Sequence, residues 1–146
     1  MRVLLDTNVL AIGAAEHHLR LDRPPAVIWL RWQAKEFDII VSEHLMEELK
    51  QTLNTAWFRE RLTQDLLFFL PVDVRKQAIF VDVIHEVHGV ASHWQDDLVL
   101  AAAVSGDADF LVTRDKEFRR VGEYRGVKIR TPSEFLSELD AAAESE

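Results

Sequence analysis

The stretch Val3-Leu4-Leu5-Asp6-Thr7-Asn8 limits what this chain can fold into more than any other. Val3, Leu4 and Leu5 form a short continuous apolar run, the pattern of a strand buried on both faces. Asp6, Thr7 and Asn8 end it abruptly, and apolar residues resume at Val9 and Leu10. A strand covered on both faces belongs to a sheet sandwiched between helices, and Asp6 then stands at its C-terminal edge. In open α/β sheets that edge is where ligands bind. Residues such as Asp6 and Asn8 also end strands and cap helices without further function. The two roles separate only if other carboxylates arrive at the same edge.

With 146 residues the expectation is one domain, residues 1–140, followed by an acidic, frayed tail, 141–146. The chain has no cysteine, which excludes disulfides and thiolate metal sites. No apolar run approaches the roughly 20 residues that span a bilayer, and the apolar start meets a charge at Asp6 before it could serve as a signal peptide. A cytoplasmic protein without a membrane partner is therefore expected. The formal net charge is −8. That sign opposes polyanions and speaks against a passive nucleic-acid clamp. It suits an enzyme that gathers carboxylates around a divalent cation.

Residues 9–15 read as a short helix, and Pro24-Pro25 opens a second. In that second helix Ala26, Val27, Leu30 and Ala34 recur at helical spacing, with Trp29 and Trp32 beside them as core or partner-facing residues. Residues 37–41 form a second buried strand, and Ser42 caps a helix running to Leu53. Counting roughly 100° per residue from the stripe Leu45, Leu49 and Leu53, Glu47 points to solvent and Glu48 lies at the stripe's margin. Residues 56–62 and 64–69 are helical, 66–70 are ambiguous and end at Pro71, and 72–83 read as a further helix. A short strand is expected within 84–90, before a turn at Gly89.

Asp96 and Asp97 precede the apolar run Leu98 to Val104, a helix buried all round. Ser92 and Gln95 are spaced as a capping box, and Asp96 is an alternative cap. Either way both aspartates sit in or near the first turn, where the helix dipole favours them by about 0.3–1 kcal/mol. Phe110, Leu111 and Val112 then form a third buried strand ending in Thr113-Arg114-Asp115, an echo of the opening pattern. If this strand pairs with the first, their ends lie about 4.8 Å apart. Carboxylates there repel one another unless a cation holds them. Residues 127–129 form a last strand, and Thr131-Pro132-Ser133-Glu134 starts the final helix with a capping box.

Helices and strands thus alternate along the chain, which implies a mostly parallel sheet between helical layers. Leu4-Leu5-Asp6-Thr7-Asn8-Val9-Leu10, Ser42 with Glu48-Leu49, Asp97-Leu98-Val99-Leu100-Ala101-Ala102, and Ala108-Asp109-Phe110-Leu111-Val112-Thr113-Arg114-Asp115 together resemble the PIN-domain family. The close, residues 124–136, is similar to the end of prokaryotic toxin–antitoxin ribonucleases of the VapC-like type. The resemblance implies a three-layer α/β/α fold with four to five strands. It also implies a Mg²⁺- or Mn²⁺-dependent endoribonuclease, the toxin partner of a cognate antitoxin protein, and is compatible with a homodimer. The family's four acids fall on Asp6, Glu48, Asp97 and Asp115, serving as catalytic residues and metal ligands, with Asn8 and Thr113 as polar support. The resemblance points to Asp97 as the third acid, because its spacing to Leu100-Ala101-Ala102 fits the family, with Asp96 as the alternative. Arg114, Lys116, Arg119 and Arg120 are candidates to contact RNA phosphates.

Two other classes compete. A protein- or RNA-binding module on a degenerate PIN fold would have no need of all four acids. An aspartyl-phosphate phosphotransfer enzyme would carry a lysine at a late strand end, or a second aspartate two residues after the first, where this chain has Asp115 and Asn8. His85 and His88 lack the further ligand that a zinc site needs.

Overall fold

The computed structural model describes residues 1–145. In chain order the elements are β1 (Arg2–Leu5), α1 (Thr7–His18), α2 (Pro24–Gln33), β2 (Asp38–Val41), α3 (Glu43–Leu53), α4 (Ala56–Arg61), α5 (Gln64–Gln77) and β3 (Ile79–Phe80). They continue with α6 (Trp94–Ser105), β4 (Phe110–Val112), α7 (Lys116–Arg119), β5 (Glu123–Tyr124), β6 (Val127–Arg130) and α8 (Pro132–Glu144). Among these helices none is long and apolar enough to cross a membrane.

The sheet order is β3-β2-β1-β4-β6-β5, parallel throughout except for β5 against β6. Side chains of successive strand residues alternate between two cores. Val3 and Leu5 face one core with α1, α2, α3 and α8, whereas Leu4 and Leu111 face the other with α6. Val3 and Leu4 are completely buried, as a doubly covered central strand requires. The fold is therefore a three-layer α/β/α sandwich. β1 lies at its centre, with β2 on one side and β4 on the other. The chain's progress across the sheet reverses between β1 and β4, which makes the C-terminal ends of these two strands the topological switch point.

Several expectations are corrected. In α2 the buried face is Ile28, Trp29 and Trp32, while Leu30 is 54% exposed. The two indoles pack edge to face at 5.2 Å inside the core, so neither offers a partner an anchor. Pro71 does not end a helix. α5 runs through it because Leu70 and Val74 continue the buried stripe, and their packing offsets the backbone bond that proline cannot donate. α5 then stops at Gln77, before β3, a two-residue strand too short to carry a periodicity. β5 was equally invisible; Arg125 at φ +47° and Gly126 at φ +84° make the tight turn that joins it to β6. The sheet consequently has six strands. Residues 84–90 are irregular, and α6 begins after His93, whose side chain does not cap it. The capping boxes and caps elsewhere hold: Ser42 caps α3, and Thr131 with Glu134 closes a reciprocal box on α8. α8 extends to Glu144, so residues 141–144 are helical, and Glu146 lies outside the described residues.

The contact between α1 and α2 depends on Gly13. A Cβ there would lie 2.6 Å from the Pro25 carbonyl oxygen. Alanine gains about 1 kcal/mol over glycine in helix propensity, but overpacking a backbone contact costs about 1–3 kcal/mol. Gly13→Ala should therefore lower the midpoint of urea unfolding; a raised midpoint would contradict the close approach of α1 and α2.

Candidate active site

Leu5 pairs with Val112 across β1 and β4, and the Asp6 backbone N–H donates to the Val112 carbonyl at 2.9 Å. This register sets Asp6 beside Thr113, which is wholly buried. The Thr113 hydroxyl donates to Asp6 Oδ2 at 2.8 Å and accepts from the Asp115 backbone N–H at 3.1 Å. Thr113 thus bridges the two aspartates that the strand pairing brings together. Asp115 itself caps the short α7, its Oδ1 accepting from Glu117 N–H at 2.9 Å.

On the other side, Thr7 N–H donates to Asp6 Oδ1 at 2.9 Å, and Thr7 Oγ1 donates to Glu48 Oε2, also at 2.9 Å. Glu48 Oε1 lies 2.9 Å from His44 Nε2, one turn earlier on α3. Glu47 is exposed and Glu48 half-buried, as the helical geometry of the sequence requires. Asp115, Thr113, Asp6, Thr7, Glu48 and His44 form one continuous chain of contacts along the ends of β1 and β4, α1, α3 and the start of α7.

The third acid differs from the expectation. The Asp97 carboxylate is buried and turned away from this chain, accepting three backbone N–H groups in a row: Gly89 at 2.9 Å on Oδ2, then Val90 at 3.1 Å and Ala91 at 2.8 Å on Oδ1. Its neighbour Asp96 joins the cluster instead. Burial pushes the Asp96 carboxyl above its usual range, and the charges of Asp6, Asp115 and Glu48 push it the same way, with His93 opposing. Burial likewise raises Asp6, against the hydrogen bonds from Thr113 and Thr7, and the charges of Glu48 and Asp115 add to the rise. Asp96 Oδ2 is buried with no hydrogen-bond partner.

A few positions on, the basic residues separate. Arg114 and Lys116 are exposed, Arg120 is drawn to Glu117 at 3.2 Å, and Arg119 is half-buried. Asn8 is exposed on the first turn of α1. The side chain that ties this turn to α3 is that of Thr7, which the sequence alone did not single out although it stands inside the Asp-Thr-Asn motif.

Residues 2–117 match the family model described as PIN domain. The chain belongs to the PIN-domain family. Its fold is similar to a chain in the crystal structure of VapBC2 from Rickettsia felis bound to a DNA fragment from their promoter, at 16% identity and a TM-score of 0.58. It is also similar to one in FitAcB from Neisseria gonorrhoeae, at 17% identity and a TM-score of 0.54. Each alignment covers 90% of this chain and 98% of the other. No curated protein matches it. A surface cleft of this PIN domain, about 450 Å³ between α3 and α5, contains none of the four acids. The carboxylates lie instead at the switch point.

The donor set of this PIN domain fits a hard divalent cation, because it consists of carboxylate oxygens, one of them an orphan, pressed into mutual repulsion. Among the described residues no three acidic or histidine side chains are close enough to hold an ion as they stand.

Asp96→Asn should therefore stabilise the metal-free protein. Folding raises the Asp96 pKa, so the folded state binds more protons than the unfolded one, and this group's contribution weakens stability as pH rises through the carboxylate range. Removing the charge should raise Tm in EDTA by a few degrees near neutral pH, with the gain vanishing under acid conditions where the wild-type carboxyl is protonated in both states. A lower Tm at neutral pH would show that Asp96 is held by attraction rather than repulsion.

Proposed function

We propose that this PIN domain is a Mg²⁺- or Mn²⁺-dependent endoribonuclease, the toxin of a toxin–antitoxin pair, with Asp6, Glu48, Asp96 and Asp115 as its acidic residues. PIN domains are in general nucleases, and they generally use divalent metals. The observation that carries the reading is the Asp96 carboxylate oxygen, buried without a partner among three other carboxylates at the switch point. Acids expelled from water into mutual repulsion disfavour the folded state, and they persist where a ligand of opposite charge repays them when bound.

The chain's own residues divide the labour. Asp6 is the most constrained, fixed from both sides by Thr113 and Thr7. Glu48 is steadied by the Thr7 hydroxyl, so its carboxylate is oriented before any ligand arrives. Asp96 and Asp115 close the cluster from the starts of α6 and α7. These oxygens would hold a divalent cation, which when bound would supply positive charge toward a phosphodiester and lower the pKa of a water. Arg114 and Lys116, exposed beside Asp115, are suited to a neighbouring phosphate. Acids at a sheet edge, outside the cleft between α3 and α5 and with Asp115 exposed, suit an extended single strand better than a small molecule that needs an enclosing pocket.

Asp6→Asn should abolish Mn²⁺-dependent cleavage of RNA while the circular dichroism spectrum is retained. Glu48→Gln should impair cleavage strongly and Glu47→Gln should not. A folded Asp6→Asn protein cutting at the wild-type rate, or equal rates for the two glutamate variants, would remove the assignment.

The likeness to VapBC2 and FitAcB, assemblies of the toxin–antitoxin type, supports an antitoxin partner. A pocket of carboxylates on a chain of net charge −8 attracts a cationic segment when no metal is bound. An arginine fork pairs with such oxygens bidentately and competes with the cation for them. Inhibition by a cognate antitoxin protein should then weaken as Mn²⁺ is raised. Potency independent of Mn²⁺ would move the contact away from the acids, and no binding at all would remove the toxin reading.

A further inference from the structure

Between β3 and α6, residues 81–93 cross from one edge of the sheet to the carboxylate cluster without a regular element. A segment of this kind has no ladder to fix it, so its backbone N–H groups must find partners elsewhere. Three consecutive ones, on Gly89, Val90 and Ala91, converge on the single carboxylate of Asp97. Gly89 at φ +68° turns the chain so that the three amides point the same way, and a Cβ there would meet nothing within 4 Å. The glycine therefore answers to backbone conformation and not to crowding. Charge-assisted bonds to one carboxylate, which is only 6% exposed, are stronger than neutral ones and suffer little competition from water. Asp97 lies in the first turn of α6, whose following residues Val99 to Ala103 are buried in the core. The lock thus joins the loop to a rigid element.

Its position gives it a role toward the acids. Asp96 and Asp97 are adjacent on one helical turn, so their side chains leave the axis about 100° apart. With Asp97 committed to the loop, Asp96 is left with a buried carboxylate oxygen that has no hydrogen-bond partner. His93, the last residue before the helix, accepts from the backbone N–H groups of both Asp96 and Asp97 and so ties the two aspartates to the end of the same segment. We infer that Asp97 is a positioning residue: it locks residues 89–91 to the start of α6 and so sets the rotation at which Asp96 enters the cation site. This inference rests on the proposed metal-dependent reading, and it assigns to Asp97 a task distinct from ligation.

Asp97→Asn is nearly isosteric but substitutes an NH₂ for one acceptor oxygen, so at least one of the three loop amides must face a donor. Three measurements on the full chain separate the possibilities. Hydrogen exchange at Gly89, Val90 and Ala91 should accelerate in Asp97→Asn and remain at the wild-type rate in Asp96→Asn. Mn²⁺ affinity by calorimetry should fall about tenfold in Asp97→Asn, the usual effect of loosening a ligand's support, and be lost in Asp96→Asn. RNA cleavage by Asp97→Asn should recover at raised Mn²⁺, whereas Asp96→Asn should stay inactive at every concentration. Gly89→Ala strains the +68° backbone without touching α6 and should reproduce the Asp97→Asn pattern, which keeps the test open if that variant folds poorly. Loosened amides with unchanged Mn²⁺ affinity would make Asp97 a fold anchor only and overturn the inference. So would lost Mn²⁺ binding with the amides still protected, which would make Asp97 a ligand. A wild-type protein that binds Mn²⁺ but cuts no RNA would remove the nuclease reading and leave the lock to be decided by exchange and affinity. One that binds no Mn²⁺ would remove both.

Discussion

The carboxylate of Asp6, held at the end of β1 by hydrogen bonds from Thr113 and Thr7, is the interaction on which the rest of the site depends. Taking a charged carboxylate out of water is unfavourable unless its oxygens are satisfied. Here both are, one by a hydroxyl from the neighbouring strand and one by the first N–H of the following helix. That arrangement requires β1 and β4 to be adjacent, parallel and in the observed register. A slip of one residue would turn Thr113 to the opposite face and leave Asp6 buried without a donor. Register, helix start and acid site are therefore one constraint, and the alternation of Val3, Leu4 and Leu5 between two cores enforces it.

Threonine's part in this network is easy to underrate. Thr113 accepts from Asp115 while donating to Asp6, and Thr7 couples Asp6 to Glu48 through its backbone and its hydroxyl. Each is a neutral spacer between carboxylates that repel. A hydroxyl can donate to one carboxylate and accept from an amide at the same time, which an ammonium group or an ionised carboxylate cannot. The repulsion that remains is visible at Asp6 and Asp96, both pushed above the usual carboxylate range.

Most of the frame was legible because buried parallel strands leave uninterrupted apolar runs, and caps leave local signatures. The strands through Leu4, Ile40 and Leu111, the caps at Ser42 and Thr131, and the contrast between Glu47 and Glu48 all follow from residue pattern. What could not be read depended on tertiary packing. Pro71 sits inside α5 because the buried stripe of Leu70 and Val74 outweighs one lost backbone bond. β3 and β5 are two residues each, shorter than any periodicity. At the site, Asp96 and Asp97 have the same chemistry and the same helix-start preference, so only the partner of each distinguishes them. That partner is a loop with no pattern of its own.

The two aspartates show why family spacing and physical role can diverge by one residue. A helix start offers carboxylates a favourable dipole whichever way they point, so two adjacent acids are tolerated there with little conflict. One can then take the fold's demand and the other the site's. If Asp97 did not absorb the amides of Gly89, Val90 and Ala91, that irregular backbone would face the core's edge with unpaired donors, each costing about 1–3 kcal/mol. If Asp96 were apolar, its orphaned oxygen would not exist and the local repulsion would fall. Stability alone therefore asks for Asp97 and against Asp96. A residue that stability disfavours, placed among three other acids where the sheet's strand order reverses, is the one whose presence calls for a ligand to explain it.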